Sequence, residues 1–220
     1  MTQTEYIEKI RKNIKASSNE IEDNDLIIAL NNALSEMSRD VPLIKMVKYD
    51  TNENMKYSLP ADWEEGFSFI QCVESEDMDT SEYLEESDYK ISIIDGNSYL
   101  EITKDKIEAR VIKLHYSIQY KVDEEGNNVR GSLTSALVWI ACSLSLFILA
   151  QKYSYLTDSA FNTDLNSKSR SEKFLELSNK YKSMYDDLIS KIIFGGSFSR
   201  AYLTTRSHSS DVFGSNKMFH

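Results

Sequence analysis

The sequence predicts an α+β protein in which a small antiparallel β-sheet is inserted between helices. Apolar residues recur at three-and-four spacing towards both ends of the chain, and short alternating or β-branched segments fill the middle. We therefore expect N-terminal helices, the inserted sheet, a C-terminal two-helix hairpin and an extended C-terminal arm. The first three form one domain over residues 1–194, and the arm covers residues 195–220.

Size and charge restrict the class of protein. A chain of 220 residues can bury one sizeable core, and its net charge is −10. Residues 1–130 hold 28 Asp and Glu against 15 Lys and Arg, which argues against tight duplex binding because that needs clustered cations. Cys72 and Cys142 lie far apart, and the first residues lack the apolar core of a secretory signal. No disulfide framework, zinc site or export is expected.

Two helices are predicted at the start, over residues 4–15 and 25–40. The second has Asp23 and Asn24 as suitable N-caps. It should end before Pro42, because the residue before a proline is biased away from helical backbone angles. Its apolar stripe consists of Leu26, Leu30, Ala33 and Met37.

The middle region, residues 43–117, contains short β-like segments. We expect a first hairpin of residues 46–50 and 55–59, a third segment at 67–73, a second hairpin of residues 89–94 and 98–102 around Asp95-Gly96-Asn97, and a last segment at 109–117. Residues 74–88 carry eight acids and few bulky apolar residues, which predicts a solvated loop and not a strand. A cation site is the alternative there, but the glycine and ligand order of a calcium loop are missing.

A long uncharged segment, residues 131–151, begins the C-terminal hairpin over residues 132–193. Its centre, ALVWIACSLSLFILA, suits a fully buried helix or a membrane span. Ser132, Thr134, Ser135, Ser143 and Ser145 dilute the apolarity and favour the buried helix.

The last helix is predicted to start at a capping box of Ser169 and Glu172. Its stripe consists of Phe174, Leu177, Tyr181, Met184, Leu188 and Ile192. Within the hairpin we expect Trp139, Phe147, Phe174 and Tyr181 to pack in the core or between subunits.

Catalytic signals are lacking in the sequence. His115, His208 and His220 have no metal-ligand spacing, and His115 suits a half-exposed strand position. The phosphate-loop, dinucleotide and serine-hydrolase motifs do not occur. We expect a non-enzymatic protein with no catalytic, cofactor-binding or metal-binding residues.

Several segments together resemble the phage head-tail adaptor family, also called head-completion or connector proteins. They are LIIALNNALSEMSRDVP, YSLPADWEEGFSFIQCVE, DYKISIIDGNSYLEI, VIKLHYS and SKSRSEKFLELSNKYKSMYDDLI, in family order over about residues 4–193. In that family the Leu-Pro-x-Asp-Trp segment, here residues 59–63, leads from a hairpin into a bend. The very apolar helix and the long arm depart from many members.

The resemblance implies a structural virion protein, synthesised in the host cytoplasm. It would form a homo-oligomeric ring, commonly of twelve copies, beneath the portal protein and bind a stopper or tail-completion protein on its other face. DNA would pass through the channel without specific binding, and no membrane is involved. Such a ring can share an apolar helix between neighbours, and acids facing a channel repel phosphates.

The arm is predicted to dock on the portal or a neighbouring subunit. Aromatic and basic residues lie among Ser and Thr there, a composition typical of segments that order on a partner. The proposed contact residues are Phe198, Arg200, Tyr202, Arg206, Phe213, Met218 and Phe219. Two other classes stay open: a single-span membrane protein with an acidic cytosolic domain, and a small soluble enzyme or regulatory binding domain.

Overall fold

The computed structural model describes residues 1–16, 20–77, 80–103, 109–159 and 165–195 and confirms the α+β class. The helices are α1 (Gln3–Ile14), α2 (Asp23–Asp40), α3 (Thr134–Ser159) and α4 (Leu165–Gly195). The strands are β1 (Leu43–Asp50), β2 (Lys56–Ser58), β3 (Ile70–Asp77), β4 (Thr80–Tyr83), β5 (Tyr89–Ile94), β6 (Asn97–Ile102) and β7 (Val111–Ile118). Short 3₁₀ turns occupy Glu86–Asp88 and Gly131–Leu133.

The chain divides into two compact units. A helical unit combines Met1–Val41 with the described part of Val122–His220, and a β unit covers Pro42–Lys121. The sheet region is therefore a compact insertion between two stretches of one helical unit.

The N-terminal helices match the predicted apolar pattern. Their N-terminal caps differ from each other, and that of α2 also differs from the prediction. In α1 the Thr2 hydroxyl accepts a hydrogen bond from the Glu5 amide at 3.3 Å, and the Glu5 carboxylate accepts one from the Thr2 amide at 3.0 Å. The predicted caps of α2, Asp23 and Asn24, were wrong because the helix starts at Asp23 and its N-cap is Glu22. Asp23 instead pairs with Arg11 in the first turn, where a carboxylate is favoured by the helix dipole. The predicted stripe of α2 is fully buried.

The helix α4 begins before the predicted capping box. It starts at Leu165, so Ser169 and Glu172 lie inside the helix and do not cap it. No proline or glycine occurs between residues 157 and 194, so nothing in that sequence stops the helix from extending to Leu165. Its buried positions include Ser178, Tyr185 and Ile189, whereas Leu177 of the predicted stripe is 42% exposed.

Serines form the close contacts between α3 and α4. The Ser178 hydroxyl donates to the Ser143 carbonyl at 2.8 Å, and the two hydroxyls lie 3.1 Å apart. The Ser171 hydroxyl donates to the Ala150 carbonyl at 2.8 Å. Small side chains with internally satisfied hydroxyls let two helices approach closely, which explains why Ser178 takes a core position in place of Leu177.

The segment Gly131–Tyr155 is long and apolar enough to cross a membrane by length and composition. Of its most apolar stretch, 67% is buried inside the protein. This degree of burial agrees with the buried helix that the sequence favoured over a membrane span.

The β unit contains two antiparallel sheets where the sequence predicted one. Their strand orders are β1-β7-β3-β4 and β2-β6-β5. The predicted first hairpin was wrong: β1 pairs along all eight residues with β7, and β2 pairs with β6. The second hairpin is confirmed, with Asp95 at φ 52° and Gly96 at φ 78° in the turn between β5 and β6.

The acidic segment, residues 74–88, was wrongly predicted to be a loop. It contains the end of β3, the strand β4 and the turn Glu86–Asp88. Lys113 on β7 makes this possible, because its ammonium lies 3.3 Å from Glu74 and 3.1 Å from Glu76. His115 on the same strand lies 3.5 Å from Glu74 and is 27% exposed, as expected for a half-exposed strand residue. The inward residues of the two sheets close a core that includes Val73, Leu84, Leu100, Ile112 and Leu114.

Candidate interaction surfaces

Large apolar side chains remain exposed on the α3–α4 hairpin. We call Phe147, Tyr155, Leu175 and Leu177 the exposed hairpin residues, with 45%, 72%, 43% and 42% of their surface accessible. The interior of the same unit is already filled by Leu137, Ile140, Leu146 and Leu149. A contiguous exposed apolar patch is typical of surfaces that a partner covers, whereas single exposed apolar side chains are common on any protein. Leu175 and Leu177 are two residues apart and lie on different sides of α4.

The four predicted hairpin packing residues occupy different environments. Trp139, Phe174 and Tyr181 are half-buried, and Phe147 is exposed. The Phe174 ring lies 5.5 Å from that of Tyr153, and the Tyr181 hydroxyl donates to the Asn13 carbonyl at 3.3 Å. Packing of Phe147 against a neighbouring subunit stays a prediction.

A polar contact that the sequence analysis missed joins α2 to α4. Tyr185 is fully buried, and its hydroxyl donates to the Asp40 carboxylate at 2.6 Å. Burial, together with the negative charge of Asp40, raises the pKa of Tyr185 far above its ordinary value. Lys182 lies one turn earlier and bridges Glu36 at 2.7 Å and Asp186 at 2.9 Å. The spacing of Ser178, Tyr185 and Ile189 was the sequence signal for this buried face.

The Leu-Pro-x-Asp-Trp segment, residues 59–63, forms a bend in the β unit. The side chain of Asp62 connects this bend to two strands. The Asp62 carboxylate accepts hydrogen bonds from Tyr116 on β7 and Lys45 on β1, both at 2.6 Å. Burial by itself would raise the pKa of Asp62, but the bonds from Lys45 and Tyr116 outweigh it and lower the pKa. The Trp63 ring packs 6.1 Å from that of Tyr116. The motif therefore stabilises the bend through hydrogen bonds and ring packing. The strand β2, which precedes it, pairs with β6 and forms no hairpin with β1.

A wide groove lies beside this bend. Its volume is about 570 Å³, and its lining includes Pro60, Trp63, Glu65 and Tyr99. The Glu65 carboxylate accepts a hydrogen bond from the Ser98 hydroxyl at 3.1 Å. Glu65 is the single carboxylate of the lining, and Tyr99 is the other ionisable side chain there.

Most of the net negative charge of the chain lies in the β unit. Residues 42–121 hold 17 Asp and Glu against nine Lys and Arg. Among the described residues, no group of three or more His, Cys, Asp or Glu is placed to hold a metal ion. An excess of carboxylates on a surface repels anions and attracts basic groups.

The predicted contact residues of the arm lie outside the described residues. These are Phe198, Arg200, Tyr202, Arg206, Phe213, Met218 and Phe219. Their docking role stays a prediction from sequence.

Comparison with known proteins finds similar solved structures, including two from gene transfer agent particles. One is a chain from the neck of an empty gene transfer agent particle computed with C6 symmetry, with 9% identity and a TM-score of 0.28, covering 76% of this chain and 87% of that chain. The other is a chain from the virion of a native gene transfer agent particle, with 11% identity and a TM-score of 0.30, covering 79% of this chain and 88% of that chain. No family model matches the chain, and no curated protein matches it. With both TM-scores below 0.5, the function proposed for this protein rests on the residues of the chain itself.

Proposed function

We propose that this chain is a non-enzymatic structural virion protein, an adaptor that forms a ring under the portal and links the head to the stopper or tail. The exposed hairpin residues are the observation that carries the proposal. Each is a large apolar side chain left on the surface of a helical unit whose interior is already filled. In the proposed ring, neighbouring copies cover these side chains.

The proposed ring requires that the exposed hairpin residues of one copy bind a different patch on the next copy. A patch on one copy that binds a different patch on the next copy produces a closed ring when the rotation closes. Each buried large apolar side chain contributes about 1.5–3 kcal/mol. The number of copies, twelve, and the portal as the docking partner come from the family resemblance of the sequence.

The acidic β unit suits a component of a DNA conduit. A wall with an excess of carboxylates repels the phosphates of a passing duplex and so prevents adhesion. In the proposed ring, acids of the β unit face the channel, and DNA passes without sequence-specific contacts. The positively charged arm, residues 195–220, supplies contacts to carboxylates on the portal or on a neighbouring copy.

A double substitution tests the ring. Phe147→Ser combined with Leu177→Ser should leave a folded protein by circular dichroism but abolish rings in negative-stain micrographs, alone and with purified portal. Gln151→Ser with Glu176→Ser is the matched control, because it changes exposed polar residues on the same two helices. The adaptor proposal is contradicted if the parent protein never joins the portal. The hairpin contact is contradicted if the variant that carries both Phe147→Ser and Leu177→Ser forms rings as the parent does.

A further inference from the structure

The strand β5 forms an open edge of the three-stranded sheet. It pairs with β6 over six residues without a register shift, and in the part of the chain that the structure describes no strand lies on its other side. Its surface is unusually apolar for an edge. Ile91, Ile93 and Ile94 are 44%, 70% and 38% exposed.

The hydrogen-bond pattern fixes which backbone groups of β5 face outward. The Ile102 amide donates to the Met55 carbonyl at 2.9 Å, and the Leu59 amide donates to the Ser98 carbonyl at 3.3 Å. Even-numbered residues of β6 therefore point their backbone groups away from β5, and the odd-numbered ones point towards it, because these directions alternate along a strand.

Those odd-numbered residues of β6 lie opposite Lys90, Ser92 and Ile94 of β5. The backbone groups of these three residues are consequently used within the sheet. The alternate residues, Tyr89, Ile91 and Ile93, direct their amides and carbonyls to the outside.

The other sheet edges carry the protection that β5 lacks. Natural edge strands avoid unwanted pairing by being very short or by carrying charges, prolines or bulges. The edges β2 and β4 have three and four residues, and β1 carries Lys45, Lys48 and Asp50. The strand β5 has six residues, no proline and one charge, Lys90, which lies 3.6 Å from Glu101.

Acidic residues at the two ends of β5 indicate the charge of a segment that would pair with this strand. Glu85 and Glu86 precede the strand and Asp95 follows it. A segment lying along β5 would therefore meet carboxylates at both ends and isoleucines between them. Its favoured chemistry is Lys or Arg at both ends with apolar or β-branched residues at alternate positions.

We propose that the outer edge of β5 binds an extended segment of a partner protein with this chemistry, which joins the sheet as a fourth strand. The backbones of Ile91 and Ile93 supply the hydrogen bonds, and their side chains supply the apolar contact. Strand addition of this kind takes its affinity from the main chain and its selectivity from alternate side chains. It goes beyond the adaptor function and stands independently of the hairpin contact.

Binding of the labelled peptide Arg-Thr-Val-Thr-Val-Thr-Arg to the full chain tests the proposal by fluorescence anisotropy. We expect saturable binding that weakens at least tenfold when the central Thr of the peptide is replaced by Pro. Ile93→Lys and Ile93→Pro should each weaken binding at least tenfold. The proline removes an outward amide only, so the pairing with β6 is kept. Ile28→Lys, the same change at a 46% exposed isoleucine of α2, should bind as the parent does.

Amide exchange followed by NMR gives a readout that a general loss of stability would not imitate. With peptide bound, the amides of Ile91 and Ile93 should gain protection, whereas those of Ser92 and Ile94 are protected already. The proposal is overturned if folded Ile93→Lys and Ile93→Pro variants bind the peptide as the parent does, or if no binding occurs at about 1 mM peptide. It is also overturned if sedimentation shows that the protein self-associates and that Ile93→Lys makes it monomeric, since a second copy then occupies the edge.

Discussion

The polar contacts that join α3 to α4 in the helical unit and β3 to β7 in the β unit differ in charge. In the helical unit, buried neutral hydroxyls such as Ser143 and Ser178 bond to each other and to the backbone of the facing helix. In the β unit, the charged side chains of Lys113 and Glu74 form an ion pair in which each is 14% exposed, and Lys113 also pairs with the 39% exposed Glu76. Salt screens the partly exposed ion pairs of Lys113 and leaves the hydroxyl contacts between α3 and α4 almost unchanged, so these two sets of contacts should respond differently to salt.

The largest expected effect is in the apolar core of the helical unit. Leu146→Ala removes a fully buried side chain of α3 and should lower the free energy of unfolding by about 2–5 kcal/mol, because it leaves a cavity. Leu177→Ala on α4 is the matched control, since that leucine is 42% exposed and its loss should cost well below about 1 kcal/mol in the unassembled protein. Urea unfolding of both variants checks the difference, and equal costs would contradict the assignment of the buried face of α4.

A smaller effect is expected at the buried tyrosine between α2 and α4. Tyr185→Phe removes a hydrogen bond to a carboxylate and should cost about 1.5–3 kcal/mol at pH 7. The pKa of Tyr185 is raised in the folded protein, so this stability is complete below about pH 10. It declines at higher pH, where the unfolded chain releases the tyrosine proton.

The difference in unfolding free energy between parent and Tyr185→Phe should therefore shrink above about pH 10. It should change little between low salt and about 1 M NaCl, because the Tyr185 hydroxyl is neutral and buried, so the contact is not an ion pair. Urea titrations over pH and salt measure both dependences. A difference that vanishes at high salt would mean that the contact is a solvent-screened surface contact.

The smallest effect is expected at the ion pairs of the four-stranded sheet. Lys113→Ala leaves Glu74 and Glu76 without their shared cation and should lower the melting temperature modestly at low salt. Hydrogen bonds to Glu76 and Glu74 raise the pKa of Lys113, so its contribution is present at neutral pH and is lost as pH rises through the folded pKa.

The decrease in melting temperature caused by Lys113→Ala should be smaller in about 1 M NaCl. This salt dependence distinguishes it from the loss of stability in Tyr185→Phe. Lys48→Ala is the control. Lys48 lies opposite Lys113 in the ladder between β1 and β7, so its removal relieves a like-charge neighbour and should not destabilise the protein. A salt-independent loss in Lys113→Ala would show that the aliphatic part of the lysine matters more than its charge.

Local signals in the sequence determined much of this protein. The three-and-four spacing located α2 and its buried stripe to within two residues, and Asp95-Gly96 located the turn between β5 and β6, because both patterns depend only on neighbouring residues. The uncharged stretch around Trp139 identified a largely buried helix for the same reason.

Only the tertiary structure decided which elements are partners. The strand β1 pairs with β7, about 70 residues further on, because eight paired residues there outweigh a local hairpin with the three-residue β2. The acids of β3 form a strand because Lys113 comes from β7, and Ser178 replaces Leu177 in the core because it faces Ser143. In each case the deciding energy comes from a residue distant in the chain, and local composition holds no information about that residue's position.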